Sequence, residues 1–315
     1  MAATRPGVYK PRMADTERIA IIGLGLIGGS LALALRRARP MLRIVGVDID
    51  LRAREQALEE KAIDASCSLA DAALDVCDMV VLAIPAQPLL ELLPAVAARM
   101  KPGAVLTDVC GAKEAVCAAA DRQRGVVFAG AHPMAGTEYR GFIAASPALF
   151  AGCTVALCPP VGRSDETARR DATQRVRELW LAAGAAKLLD IGPAQHDEAV
   201  TFASHLPYLA AASVVDALRG SGDAAELARE LAAGGFRDTT RLAGDGTVGG
   251  AAALNRFIAP AARALADRLH KLASQLESDP GSALELLGQI ADERRRMRMP
   301  AVTVTGTAPS LPRYR

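Results

Sequence analysis

The stretch from His132 to Glu138 carries the residue types best suited to proton transfer in this sequence. It reads His-Pro-Met-Ala-Gly-Thr-Glu and follows the apolar, strand-like run 126–131. An imidazole has a pKa that suits acid–base chemistry near neutral pH. Because ligands bind beyond the carboxyl ends of the strands in open α/β sheets, we expect His132 to lie one residue past a strand, in a loop that faces a crevice. An isolated His-Pro could equally be a simple turn, so the surrounding elements must decide.

A glycine-rich turn near the start of the chain predicts dinucleotide binding. Residues 23–28 read Gly-x-Gly-x-x-Gly between the apolar run 18–22 and a helical stretch. The glycines allow a tight turn, close approach of a pyrophosphate and close helix–strand packing, and the helix N-terminus attracts phosphates. Asp48 ends the next strand, where a carboxylate accepts hydrogen bonds from both ribose hydroxyls and repels a 2′-phosphate. This favours NAD over NADP, with Arg52 and Arg54 close enough to leave NADP open.

The order of the elements predicts two domains. Strand-like and helix-like segments alternate up to residue 191, which indicates a doubly wound parallel sheet of the Rossmann type. The strand around 78–84 ends in Ala83-Ile84-Pro85 near the expected switch point. Two interpretations stay open: its backbone faces the nicotinamide, or it is an ordinary strand end. After Gly192-Pro193 the pattern is helical only. We expect a flexible segment 1–17, a dinucleotide-binding domain 18–191, an all-helical substrate and dimerisation domain 192–299 and a mobile tail 300–315.

Composition and charge exclude several classes of function. The chain has 315 residues, is 51% hydrophobic and carries a net charge of +2, which gives no basic surface of the kind that binds nucleic acid. No apolar run is long enough to predict a membrane span, and the N-terminal residues lack the apolar core of a signal peptide. The six cysteines have neither C-x-x-C nor zinc spacing, so we expect free thiols in the cytoplasm and no metal site.

The helical half contains two polar segments that interrupt its apolar pattern. Residues 204–208 read Ser-His-Leu-Pro-Tyr, and Pro207 should kink the long helix predicted for 194–218 because it cannot donate a hydrogen bond. A core histidine is the plainer interpretation of His205. The second segment, 234–241, ends in Arg241, which could bind a carboxylate with two hydrogen bonds or form a surface ion pair with Asp238.

Together these motifs resemble the prephenate/arogenate dehydrogenase family of tyrosine biosynthesis. The resemblance covers roughly residues 18–298 and rests on motifs in the family's order: Gly-x-Gly-x-x-Gly-Gly-Ser at 23–30, Asp-Val at 108–109, His-Pro-Met-Ala-Gly-Thr-Glu at 132–138, Ser-His-Leu-Pro at 204–207 and Gly-Phe-Arg-Asp-Thr-Thr-Arg at 235–241. It implies a Rossmann domain, a helical dimerisation domain like that of 6-phosphogluconate dehydrogenase, a homodimer and NAD as cofactor.

The resemblance also implies a reaction and roles for individual residues. Its substrate is a cyclohexadienol with a ring carboxylate and a C4 hydroxyl; His132 takes a hydrogen bond or the proton from that hydroxyl, and Arg241 binds a carboxylate. Hydride transfer and loss of CO₂ then aromatise the ring. The cofactor-binding residues are expected to be Gly23, Leu24, Gly25, Leu26, Ile27, Gly28, Asp48, Ala83, Ile84 and Pro85. The substrate-binding residues are expected to be Gly111, Thr137, Glu138, His196, Ser204, His205, Tyr208 and Asp238, with Glu138 and Asp238 as acidic partners of Arg241.

Two departures from the family pattern keep alternatives open. Gly111 stands where the family has a serine that bonds the catalytic histidine, and Tyr208 stands where the second histidine of His-Leu-Pro-His is usual. A 4-amino-4-deoxyprephenate dehydrogenase of secondary metabolism would share most of the motifs. A non-catalytic NAD-binding sensor is a further alternative. A β-hydroxyacid dehydrogenase would need a catalytic lysine in the helical half, where Lys271 is the only lysine and has no motif around it.

Overall fold

The computed structural model describes residues 17–137, 139–159 and 165–297. Within these ranges the chain forms two compact units, divided between Pro193 and Ala194. Each unit is described by itself below. The flexible termini predicted for 1–17 and 300–315 lie outside the described residues, except for Glu17.

A six-stranded parallel sheet forms the centre of the first unit. Its strand order is β3-β2-β1-β4-β5-β6, so the chain order reverses between β1 and β4. The central strands β1 and β4 are buried along almost their whole length, as expected for parallel strands with both faces covered. The strands are β1 Arg18–Ile22, β2 Arg43–Val47, β3 Ala65–Cys67, β4 Met79–Leu82, β5 Val105–Asp108 and β6 Val127–Phe128.

Helices connect these strands in the alternation that the sequence predicts. Asp50 caps the second helix by accepting a hydrogen bond from the backbone N–H of Arg52, and each helix turns apolar side chains toward the core. This arrangement confirms the predicted doubly wound fold class. The helices are α1 Leu26–Ala38, α2 Leu51–Glu59, α3 Ala86–Arg99 and α4 Lys113–Ala120, with a short 3₁₀ turn at Leu74–Val76.

A second, three-stranded sheet completes this unit and corrects one expectation. The run 126–131 is two strands, because the chain leaves the first sheet at Ala129 and starts β7 (Gly130–Pro133). β7 pairs antiparallel with β8 (Thr154–Cys158), which pairs in parallel with β9 (Lys187–Asp190). Helix α5 (Glu166–Ala182) joins β8 to β9 and brings Trp180 edge-on to Phe150, with ring centroids 5.1 Å apart.

The second unit is helical throughout its described residues. The long helix predicted for 194–218 is divided into α6 (Pro193–Val200), a π-helical turn (Thr201–His205) and α7 (Leu206–Arg219). Pro207 is the second residue of α7, just after the π turn, and the helix continues through this π-helical turn and does not break. The remaining elements are α8 Asp223–Glu230, α9 Gly234–Thr240, a 3₁₀ turn Arg241–Gly244, α10 Gly246–Ala253, α11 Ile258–Ser278 and α12 Pro280–Arg296.

Three further properties bear on function. All six cysteines are free thiols. In the described part of the chain, no helix has the length and apolar character needed to cross a membrane. The same residues contain no cluster of three or more histidine, cysteine, aspartate or glutamate side chains that could hold a metal ion.

Candidate functional site

The glycine turn after β1 is shaped by two close backbone approaches. Gly23 has a φ of +98°, and a Cβ there would lie 2.3 Å from the carbonyl oxygen of Ala83. A Cβ on Gly28 would lie 1.8 Å from the carbonyl oxygen of Gly23. By contrast, a Cβ on Gly25 would meet no heavy atom within 4 Å. The first and third glycines therefore hold the turn together, and the second faces open space of the kind a pyrophosphate needs.

Helix α1 starts directly at this open space. Gly25 is its N-cap and offers no side-chain hydrogen bond to the first turn. The backbone N–H groups of Leu26, Ile27 and Gly28 precede the first intrahelical donor, Gly29, which bonds the carbonyl of Gly25 at 2.8 Å. A helix N-terminus with available N–H groups and a positive dipole end is suited to bind phosphate oxygens.

Asp48 lies beside this turn at the end of β2. Its Oδ2 accepts a hydrogen bond from the backbone N–H of Leu24 at 2.6 Å, and its Oδ1 accepts one from Asp50 at 2.8 Å. Each carboxylate oxygen keeps a further lone pair, so the pair can also accept hydrogen bonds from ribose hydroxyls. Ala83, Ile84 and Pro85 follow β4, which neighbours β1 at the point where the strand order reverses. The predicted cofactor residues thus share the carboxyl edge of one sheet.

His132 lies within β7 and not in a loop after a strand, which corrects the sequence expectation. It is half-buried and stands opposite Ala156 in the antiparallel pair β7–β8. The apolar run could not reveal this, since it does not indicate where the chain changes from one sheet to the other. The loop follows two residues later and contains Thr137, whose hydroxyl accepts a hydrogen bond from Tyr139 N–H at 3.3 Å. Glu138 lies outside the described residues.

A buried ion pair fixes the residue before His132. Lys113 and Asp108 are fully buried and bonded to each other. Lys113 Nζ also donates to the carbonyl of Ala131 at 2.9 Å, and Asp108 Oδ1 accepts from the N–H of Ala131 at 3.2 Å. Burial alone would lower the pKa of Lys113, but the neighbouring Asp108 carboxylate holds that pKa above its ordinary value. The ion pair therefore grips both backbone groups of Ala131.

The sequence analysis placed Asp108 in a motif and gave neither Asp108 nor Lys113 a function. The signal was available, since a charged residue at the end of a buried strand and another at the start of the next helix must find partners. Gly111 lies in the turn between them, from 109 to 112, and is half-buried. Gly111, the position at which the resemblance implies a serine, therefore lies in the segment that connects Asp108 to Lys113.

In the helical unit, buried polar side chains surround the π-helical turn. His196 Nδ1 lies 2.7 Å from Asp197 Oδ1, and both side chains are almost fully buried. His205 is also buried, at the end of the π turn, and Ser204 beside it is half-buried. Asn255, from the segment between α10 and α11, contacts His205 at 3.0 Å; the sequence analysis did not single it out.

Tyr208 lies on the first turn of α7 and packs on α10. A Cβ on Gly249 would lie 2.9 Å from the phenol oxygen of Tyr208, so the absence of a side chain at Gly249 makes room for that hydroxyl. Asp238 on α9 and Arg241 at the start of the following 3₁₀ turn are exposed. The helical unit thus contains His196, Ser204, His205, Tyr208, Asp238 and Arg241, and the first unit contains the other described candidates.

Comparisons with protein families match both units in order. The family described as "Prephenate dehydrogenase, nucleotide-binding domain" matches residues 31–188. The family described as "Prephenate dehydrogenase, dimerization domain" matches residues 192–277.

Individual relatives agree with these matches. The prephenate dehydrogenase of Bacillus subtilis is 34% identical over 235 residues, which are 74% of this chain and 61% of that protein. The solved structure of Synechocystis arogenate dehydrogenase is 30% identical, with a TM-score of 0.69 over 88% of this chain and 98% of that chain. Prephenate dehydrogenase from A. aeolicus, solved with hydroxyphenyl propionate and NAD⁺, is 25% identical, with a TM-score of 0.77 over 90% and 99%.

Proposed function

Because this chain belongs to the prephenate dehydrogenase family, we propose that it catalyses the NAD-dependent oxidative decarboxylation of prephenate, arogenate or both in tyrosine biosynthesis. Prephenate would give 4-hydroxyphenylpyruvate and arogenate would give tyrosine. The observation that carries the proposal is that the two family matches, at 31–188 and 192–277, span both units of the fold. The matched region of the chain spans 61% of the length of the Bacillus subtilis relative.

The first unit fits a dinucleotide. The open space beside Gly25, the N-terminus of α1 and the carboxylate of Asp48 would hold the pyrophosphate and the adenosine ribose. When bound, NAD⁺ supplies the hydride acceptor. A negative charge at Asp48 disfavours the 2′-phosphate of NADP. Asp48→Ala should therefore weaken the preference for NAD⁺ over NADP⁺.

His132 is the proposed acid–base residue. It is half-buried in β7, and the Asp108–Lys113 pair holds the backbone of the preceding residue, Ala131. It would accept a hydrogen bond, or the proton, from the C4 hydroxyl of the substrate as that carbon is oxidised. Loss of CO₂ then makes the ring aromatic, so the reaction is effectively irreversible. The protein needs to supply only a base, a bound hydride acceptor and a cation for the carboxylate.

The helical unit is proposed to bind the substrate. Arg241 is the proposed partner of a substrate carboxylate, since its guanidinium presents two parallel donors to a carboxylate. His196, Ser204, His205 and Tyr208 are proposed to line the substrate side chain. The amino-substituted substrate and the non-catalytic sensor are not favoured, because the matches are to prephenate and arogenate dehydrogenases.

The helical unit also supports a homodimer in the cytoplasm. Helix α11 buries none of its side chains within the chain, and Leu231, Leu269, Leu284 and Ile290 expose 74%, 59%, 67% and 51% of their surface. Such apolar faces are usually covered by a partner. The free cysteines suit the reducing cytoplasm. Sedimentation at micromolar concentration should give a dimer, and a monomer would refute this assembly.

The direct test is steady-state NADH or NADPH formation with prephenate and with arogenate, each against NAD⁺ and NADP⁺. We expect turnover with at least one substrate and a higher kcat/KM with NAD⁺. Absence of turnover with both substrates, in protein that still binds NAD⁺, would overturn the proposed activity. Preference for NADP⁺ would overturn the role given to Asp48.

A further inference from the structure

We propose that Asn255 is a positioning residue that holds His205 uncharged, with its single ring proton on Nε2, so that His205 acts as a hydrogen-bond donor. Only the use of this donor, to bind a carbonyl or carboxylate oxygen of the substrate, rests on the proposed function. The protonation state of His205 follows from its contacts with Asn255 and from its surroundings.

Asn255 joins three successive turns of one helix face. Asp197, Thr201 and His205 are spaced four residues apart: the first lies within α6, and the other two are the first and last residues of the π turn. The side-chain Nδ2 of Asn255 lies 2.8 Å from the carbonyl oxygen of Asp197, 3.0 Å from Thr201 Oγ1 and 3.0 Å from His205 Nδ1. π turns occur frequently at functional sites, and here a single amide spans the whole turn.

The orientation of the amide is fixed from its other side. The backbone N–H of Phe257 donates to Asn255 Oδ1 at 2.9 Å, so this atom must be the oxygen and the NH₂ group must face His205. An NH₂ group only donates, and its neighbours are the Asp197 carbonyl oxygen, the Thr201 hydroxyl and His205 Nδ1. At 3.0 Å, a proton on His205 Nδ1 would point at the nitrogen of this NH₂ group, donor against donor. The proton of the neutral ring therefore lies on Nε2.

The electrostatic surroundings favour the neutral ring. Burial lowers the pKa of His205, the carboxylate of Asp197 raises it and His196 lowers it, and the net direction is downward. The neighbouring His196 has the opposite arrangement, since its Nδ1 faces the carboxylate of Asp197 and must carry a proton to donate. The Nδ1 atoms of the two rings therefore have opposite roles. That of His205 accepts from the Asn255 amide, and that of His196 donates to the Asp197 carboxylate.

With the proton of the neutral ring on Nε2, His205 presents the same Nε2–H donor in its neutral and its charged form, so this hydrogen bond persists as the pH changes. Replacing the amide by an isosteric carboxylate should reverse the tautomer. In Asn255→Asp the new carboxylate would accept from Nδ1–H and raise the pKa of His205; above that pKa the ring would keep its proton on Nδ1 and lose the Nε2 donor.

The first experiment reads the tautomer directly by ¹⁵N–¹H correlation of the imidazole nitrogens. The chain has four histidines, which single His→Gln variants can assign. We expect Nε2 of His205 to be protonated and Nδ1 unprotonated near neutral pH, with any titration of the ring lying below the ordinary histidine pKa of about 6.5. A protonated Nδ1 at neutral pH, or a pKa of His205 at or above the ordinary value, would overturn the proposal. This reading needs no turnover, so it stands or fails apart from the proposed function.

The second experiment compares Asn255→Asp with Thr201→Val. Both variants disturb the same buried cluster, but only the first places a charge against His205. With substrate, kcat/KM of Asn255→Asp relative to the native protein should fall by about 10- to 100-fold as pH rises from about 6 to about 9, mainly through KM. Thr201→Val should lower thermal stability without this pH dependence. An equal, pH-independent loss of kcat/KM in both variants would overturn the positioning role. If Asn255→Asp does not fold, the tautomer measurement on the native protein decides the question.

Discussion

The two units hold their candidate histidines by different means. In the first unit His132 is fixed through the backbone, because it lies in β7 and the Asp108–Lys113 pair grips the preceding residue. In the helical unit His205 is fixed through its own ring, because Asn255 bonds Nδ1. The difference teaches that backbone contacts can fix the main chain beside a histidine, whereas a side-chain partner also sets where its ring proton lies.

The units also differ in how they bury their functional residues. Gly23 and Gly28 of the first unit have no room for a side chain, and the Asp108–Lys113 pair is fully buried. In the helical unit Arg241 and Asp238 are exposed, and α11 buries no side chain within the chain. Substitutions at these closely packed positions should therefore affect folding, and substitutions at the exposed positions of the second unit should affect binding.

The largest effect is expected from removing the proposed acid–base residue. His132→Asn should lower kcat by roughly 10²- to 10⁴-fold, because proton transfer then lacks its acceptor. NAD⁺ affinity, measured by calorimetry, should persist because the glycine turn is untouched. His270→Asn, at an exposed position on α11, is the matched control and should keep native turnover. A near-native kcat for His132→Asn would remove this histidine from its role.

Removing one partner of the buried Asp108–Lys113 pair should strongly lower the free energy of unfolding. Lys113→Met leaves Asp108 buried and unpaired, so the free energy of unfolding should fall by about 3–5 kcal/mol. Replacing both residues by apolar ones of similar volume should cost less, since no lone charge remains. Denaturant unfolding measures both variants. Equal losses from the single and double replacements would show that the charge pairing is not what holds β7.

Arg241 tests the exposed side of the comparison. Arg241→Ala should raise KM by about 10- to 100-fold, the range for losing a charge-assisted hydrogen bond, with little change in thermal stability. Arg237→Ala removes another exposed arginine one turn earlier and serves as the control. The two variants need only steady-state kinetics and a melting curve. If both raise KM alike, the effect is general electrostatics and not a specific carboxylate contact.

Two alanine substitutions in the glycine turn should have the smallest effects, one on stability and the other on NAD⁺ binding. Gly28→Ala should destabilise the fold by about 1–3 kcal/mol, because its methyl group would overlap the Gly23 carbonyl. Gly25→Ala should leave stability unchanged and weaken NAD⁺ binding, since its methyl group enters only the open space. Thermal unfolding and calorimetry separate the two effects. A stable Gly28→Ala, or a Gly25→Ala with native affinity, would refute the assignment of these glycines.

The sequence predicted the fold class because helix and strand periodicities and the glycine turn are local signals. It misplaced His132 because an apolar run such as 126–131 does not reveal where a chain passes from one sheet to another. Pro207 indicated a disturbed helix, but the π turn before it depends on packing. Asn255 escaped notice because its partner His205 is 50 residues away in sequence, and no local pattern predicts such a bond. The roles of the site residues remain predictions.

The most direct test of the proposed chemistry is to measure NADH and CO₂ together from one reaction with prephenate and NAD⁺, and again with arogenate. Oxidation coupled to decarboxylation predicts equal molar amounts of the two products, with 4-hydroxyphenylpyruvate or tyrosine formed to match. NADH without CO₂ would mean a simple alcohol oxidation and would contradict the proposed reaction. NAD⁺ binding without either product would contradict the enzyme assignment itself.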